Sequence, residues 1–168
     1  MKKSENNKPL IEGLNHLLAD TYVLYVVTQH CHWNVLGPNF IAYHKMFEEQ
    51  YQELASAIDE IAERIRALKT FAQASLRSFL KLSSLKEIEE QMNAEKMLNK
   101  LLADHEHIAE KIFKLFDIAD QSGDEVTLDL LIKRKTAHDK TAWMLRSSLE
   151  GVDLPMSKKR LIHDDSFA

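Results

Sequence analysis

The sequence predicts an all-α fold: four long helices packed as one bundle, with a short extra helix in the crossover between the second and third. Three observations carry this. Glycine and proline number only 4 and 3 in 168 residues, too few for a chain of tight β turns. Ala, Leu, Glu, Lys, Gln and Met dominate, and all are strong helix formers. Apolar residues recur at helical spacing through four long stretches, two of whose three breaks contain Gly, at Gly37 and Gly123. The length suits one domain with a sizeable core.

Taken in order, residues 1–8 are polar and basic and read as an N-terminal tail, with the bundle expected over 9–151 and a C-terminal tail over 152–168. Pro9 suits the first turn of a helix. The first helix is expected from Leu10 to Val35, with Leu14, Leu17, Leu18, Tyr22, Leu24, Tyr25 and Val27 as its apolar set. Gly37-Pro38 ends it. The second helix is expected from Phe40 to about Leu68, a stretch without Gly or Pro. Lys69 to Ser84 is less regular, and Ser75 to Leu80 is the expected short helix. The third helix is expected from Leu85 to Ala119, carried by Met92, Met97, Leu98, Leu101, Leu102, Ile108, Ile112, Leu115 and Phe116. Ser122-Gly123-Asp124 breaks the pattern, with Asp124 where an N-cap belongs. The fourth helix is expected from Glu125 to Leu149, stopping at Gly151.

Composition excludes several classes. The polar, basic start leads into no long apolar run, so no signal peptide is expected. No stretch has the length of a membrane span. Cys31 is the single cysteine, which rules out an internal disulfide; a cytoplasmic protein is expected, and Cys31 reads as a small packing residue. The net charge of −4 provides no global basic field for nucleic acid.

The chemistry concentrates between His32 and Glu63. His32, His44, Glu48, Asp59 and Glu63 form a mixed nitrogen–oxygen set that suits iron, manganese or zinc. His44 and Glu48 are i,i+4 neighbours on the second helix, as are Asp59 and Glu63. All four lie within an arc of roughly 100°. Glu48 and Asp59, however, are separated by roughly 16 Å along the helix axis, so one straight helix cannot bring them to one ion. A two-fold axis near Glu53 and Leu54 solves this: two copies run antiparallel, and His44 and Glu48 of one face Asp59 and Glu63 of the other. An isologous interface of this kind makes two equal sites per dimer.

These same residues carry a family resemblance. His32-Trp33-Asn34-Val35-Leu36-Gly37, the His44-x-x-x-Glu48 that follows, and Asp59-x-x-Ala62-Glu63-Arg64-Ile65 together resemble the signature of the Dps family, the small ferritins that protect DNA in starved bacteria. The likeness continues through Phe79 to Ser84 and Thr141 to Arg146. It implies a ferritin-like bundle, iron ligation and ferroxidase chemistry by His32, His44, Glu48, Asp59 and Glu63 at a two-fold interface, hydrogen peroxide as oxidant, and ferric mineral stored in a hollow dodecamer. By the same resemblance Trp33 is a candidate for supplying or quenching oxidising equivalents beside the site. Two departures stand out: Glu48 where the family usually has Asp, and Lys69 where many members have Gly.

Other readings compete. Glu48, Asp59 and Glu63 are also what a solvated face paired with Lys45, Arg64 or Arg66 would look like. His30 lies two residues from His32 and points to a different face. Glu49 and Glu53 are candidates for mineral nucleation or plain surface charge. A conventional in-bundle di-iron site needs Glu-x-x-His on two helices; Asp104-x-x-His107 is the nearest match, and Lys135 stands three residues before His138. His105, His107 and His138 therefore read as surface or core histidines. Asp120, Asp124 and Asp129 are candidate cation-pore residues, with helix capping as the rival role. The alternative function is non-specific DNA binding and nucleoid compaction through Lys2, Lys3, Lys8, Lys158, Lys159 and Arg160, residues that would neutralise phosphates but are opposed by the acids of the C-terminal tail.

Overall fold

A computed structural model describes residues 7–150. It contains α1 (Lys8–Asn34), α2 (Phe40–Ala67), the short α3 (Leu76–Leu82), α4 (Ala94–Gln121) and α5 (Glu125–Leu149). There is no strand among the described residues. The four long helices form the bundle, α1 pairing with α2 and α4 with α5. The segment that contains α3 crosses along α1, as the long crossover of such a bundle requires.

The ends of α1, α2, α3 and α5 fall within about two residues of the sequence expectation. The start of α4 does not: the helix begins at Ala94, nine residues after the expected Leu85. Helix-forming residues fill the gap, but their ends are held elsewhere. Buried Asp20 of α1 accepts from the Ser84 backbone N–H at 2.6 Å and from the Ser83 hydroxyl at 2.9 Å. Lys111 of α4 closes on the same carboxylate. Asn93 then supplies the N-cap, its side chain accepting from Lys96 N–H. Tertiary anchoring of Ser83 and Ser84 thus overrides local helix propensity.

The core is aliphatic and runs the length of the bundle. Leu10, Leu14, Leu18 and Leu24 of α1, Phe47, Leu54, Ile61 and Ile65 of α2, and Met97, Leu101, Ile108 and Ile112 of α4 are fully buried. Cys31 is buried among them and free, and burial pushes its thiol up to about 12, which makes it the packing residue expected. At the end of α2, Lys69 sits at φ 64°, a left-handed conformation just past the helix. That position favours glycine, the residue that the resemblance leads one to expect there. No described helix is long and apolar enough to cross a membrane. Residues 1–6 and 151–168, including Lys2, Lys3, Lys158, Lys159 and Arg160, lie outside the described residues.

Candidate metal centre

The site is built at the junction of α1 and α2. His32 stands in the last turn of α1 and His44 in the second turn of α2, and the two imidazoles stack with centroids 3.7 Å apart and planes 18° apart. Their outer bonds are reciprocal. Nδ1 of His32 lies 2.7 Å from the His44 carbonyl oxygen, and Nδ1 of His44 lies 2.8 Å from the His32 carbonyl oxygen. A carbonyl oxygen can only accept, so both Nδ1 atoms carry the proton. In the neutral rings this leaves the lone pair on Nε2. Neither Nε2 has a hydrogen-bond partner among the described residues. Two oriented imidazoles with free Nε2 lone pairs are what a metal ion takes from histidine.

Aromatic rings hold the pair in place. Phe40 stacks on His44 at 5.0 Å, and Tyr51 meets His32 edge-on at 5.2 Å. Tyr51 was not singled out in the sequence, although it stands two helical turns after His44 and shares its face. Trp33, beside His32 in the chain, is 67% exposed and makes no ring contact among the described residues. Leu36 and Ile41, close by in the chain, are likewise exposed.

The carboxylates are placed on α2 as the spacing requires. Glu48 is half-buried; Asp59 and Glu63 are exposed. None of the three forms an ion pair among the described residues. The rival pairing with α2 cations is not made: Arg64 holds Asp124 at 2.7 Å, and Arg66 donates to the Thr70 carbonyl and lies over the Phe71 ring. Among the described residues no three His, Cys, Asp or Glu side chains of one chain come together as a metal group. The histidine pair and the Asp59–Glu63 pair stay apart within the chain, as the length of α2 requires.

The remaining candidates divide. Glu53 is engaged by buried Arg134 of α5, whereas Glu49 is exposed and has no ion-pair partner among the described residues. Asp124 is the N-cap of α5, accepting from Thr127 N–H at 3.1 Å. Burial raises its carboxyl, but the bonds from Arg64 and Thr127 outweigh this and hold it below the usual range. Asp129 pairs with Lys133 on the surface, and Asp120 is exposed. His30 is half-buried, with a partnerless Nε2 inside the protein. His107 is exposed and bonds Ser84, 2.9 Å away. His105 and His138 are core residues that bond each other, Nδ1 to Nδ1, at 2.9 Å.

A four-helix bundle with a long crossover, paired imidazoles at one end and unpaired carboxylates along the next helix is the make-up of a ferritin-like protein, and the ferritin-like domain model matches residues 11–154. The relatives narrow this further. The chain is 42% identical over 143 residues to DNA protection during starvation protein 2 of Bacillus anthracis, spanning 85% of this chain and 98% of that one. Its fold matches the Dps of Staphylococcus aureus with a TM-score of 0.82 at 35% identity, over 84% of this chain and 95% of that one. It also matches the Dps of Vibrio cholerae, described as a member of a broad superfamily of ferritin-like diiron-carboxylate proteins, with a TM-score of 0.84 at 31% identity, over 88% and 92% of the two chains. The chain belongs to the Dps family.

Proposed function

We propose that two copies of this chain form two equal ferroxidase sites, each using His32, His44 and Glu48 of one copy with Asp59 and Glu63 of the other. Fe²⁺ is the substrate. Neutral imidazole nitrogens and carboxylates bind Fe²⁺, and the carboxylates stabilise the harder Fe³⁺ still better. Hydrogen peroxide is the oxidant: two Fe²⁺ and one peroxide, with two protons, give two Fe³⁺ and two waters, so no hydroxyl radical is released. The ferric product is stored as mineral inside a hollow homo-oligomer, a dodecamer as in the family resemblance. DNA is protected because the iron and peroxide that would damage it are consumed. Residues 9–151 form the functional bundle.

The observation that carries this reading is the reciprocal bonding of His32 and His44, which orients two Nε2 lone pairs through backbone carbonyls alone. The unpaired state of Glu48, Asp59 and Glu63 among the described residues and the exposure of Trp33, Leu36 and Ile41 support a partner chain at this end of the molecule. The extra methylene of Glu48 changes the reach of the carboxylate but not its donor chemistry. The pore role fits Asp120 better than Asp124, whose charge is already matched by Arg64. The test is native mass with iron content, followed by peroxide-driven Fe²⁺ oxidation in His32→Ala and His44→Ala. A single-chain native mass, or wild-type rates in both variants with normal assembly, would defeat the proposal.

A further inference from the structure

Six buried side-chain nitrogen or oxygen atoms have no hydrogen-bond partner among the described residues, and five of them belong to four residues of α2, α4 and α5. They are both amide atoms of Gln50, Nε2 of His105, Nε2 of His138 and Nε of Arg134. These residues are 9%, 3%, 1% and 5% exposed, in that order. They stand at one level of the bundle. His105 and His138 meet through Nδ1 at 2.9 Å. Arg134 is one turn before His138 on α5, and its charge acts on both imidazoles. The terminal nitrogens of Arg134 hold Glu53 of α2, so only its Nε is left without a partner. α2 and α5 run antiparallel, since Arg64 bonds Asp124 and Thr127 while Glu53 bonds Arg134. Gln50, one turn before Glu53, therefore shares the level of His138, one turn after Arg134.

Buried polar groups are normally paired, so orphans this concentrated point to a bound molecule. Their donor and acceptor character says of what kind. The Arg134 Nε–H and the Gln50 amide nitrogen donate, and the Gln50 Oε1 accepts. The bond between the two Nδ1 atoms uses one proton, so in the neutral pair one Nε2 carries a hydrogen and the other a lone pair. A cation would meet the Arg134 guanidinium and the N–H donors. An anion would meet the lone pairs of Gln50 and one imidazole, and the Arg134 charge is already matched by Glu53. An ion held here without a matching charge would be costly, whereas a neutral molecule that both donates and accepts suits every atom of the set. We propose that Gln50, His105, His138 and Arg134 form a buried hydration site whose water molecules bridge α2 to the α4–α5 pair. An internal water makes roughly three bonds, so about two waters pair the five atoms and bond each other. Because a water can turn from donor to acceptor, either imidazole can hold the shared Nδ1 proton while the pair stays neutral. The waters thus add to the two direct polar ties across the α2–α5 seam, Glu53 with Arg134 and Arg64 with Asp124 and Thr127.

The test is a crystal structure of the assembled, chelator-treated protein at a resolution that shows ordered water, repeated after soaks in Zn²⁺ and in bromide as cation and anion probes. The expected result is density for about two waters within hydrogen-bond distance of the Gln50 amide and of Nε2 of His105 and His138, with no anomalous signal there from either soak. In solution, magnetic relaxation dispersion of water deuterons counts long-lived internal waters. Gln50→Leu, which keeps much of the side-chain bulk and removes the amide, should lower that count by at least one per chain. A zinc or bromide peak beside the imidazoles makes this an ion site and overturns the proposal. A Gln50 amide bonded directly to an imidazole with no density between them also overturns it, as does an unchanged count in folded Gln50→Leu. If that variant does not fold, the density in the wild-type protein settles the matter by itself.

Discussion

His32 and His44 meet where α1 turns into α2, while His105 and His138 meet inside the α4–α5 pair, and the two encounters leave the imidazoles in different chemical states. In the first pair each Nδ1 donates to a backbone carbonyl of the other's helix, and each Nε2 is without a hydrogen-bond partner among the described residues. In the second pair the rings bond each other through Nδ1, so only one of them carries its proton there, and both Nε2 atoms are buried without a partner. Buried Arg134 lies near this second pair. Burial first, then the Arg134 charge, push His105 down to about 3; burial, with His105 and Arg134, holds His138 well below the ordinary value. The first pair thus has the arrangement that a metal ion takes from histidine, one nitrogen bonded by the fold and the other without a partner. A histidine bonded only to another histidine in the core is a neutral packing group.

Breaking the first pair should have the largest effect. His44→Ala and Asp59→Asn should each lower peroxide-driven Fe²⁺ oxidation by at least ~10-fold, since even outer partners of metal ligands cost that much. Mixed particles should recover activity. In a dimer of the two variants, one site carries both lesions and the other takes His44 from one chain and Asp59 from the other, and is intact. No recovery, in particles whose exchange is confirmed by mass, would show that the site is not shared.

The second pair should dominate acid sensitivity. Its histidines are held neutral in the fold but protonate near 6.5 when unfolded. Below that pH the unfolded state binds more protons, so stability is fully present above about 6.5 and falls as pH drops toward 3. The slope should approach about 1.4 kcal/mol per pH unit for each histidine. Denaturant melts from pH 7 to pH 4 would measure it, and a flat profile would contradict the buried, neutral assignment.

Single and double replacements sharpen the contrast. His138→Leu alone strands the buried His105 and should cost ~1–3 kcal/mol at pH 7. His105→Leu with His138→Leu removes both polar groups, should recover most of that loss, and should flatten the acid profile while leaving Fe²⁺ oxidation unchanged. Equal costs for the single and double variants would show that the two rings do not act as a pair. A control away from both pairs is Lys69→Gly, which relieves a left-handed backbone and should stabilise by roughly 1 kcal/mol or less. Direct DNA affinity should be the weakest effect of all. Deleting residues 1–8 should lower it, and a gel shift that survives high salt would reveal a contact other than phosphate neutralisation.

The sequence by itself determined the helices, the break at Gly123, the N-cap at Asp124 and the ligand-type set. These follow from local rules: composition, the 3.6-residue period and the i,i+4 spacing of His44 with Glu48 and Asp59 with Glu63. Lys69 stood out through the resemblance alone, as a residue where many members of the family have glycine. Tertiary structure alone decided that His32 and His44 lock each other's tautomers, that Tyr51 touches His32, and that His105 finds His138. It also decided that Asp20 captures Ser83 and Ser84 and so delays α4 to Ala94. The physical reason is that a helical period tells which face a side chain is on, but not which carbonyl, ring or carboxylate of another helix arrives opposite it. That register is set by the packing of whole helices, and the proton on each imidazole follows from it.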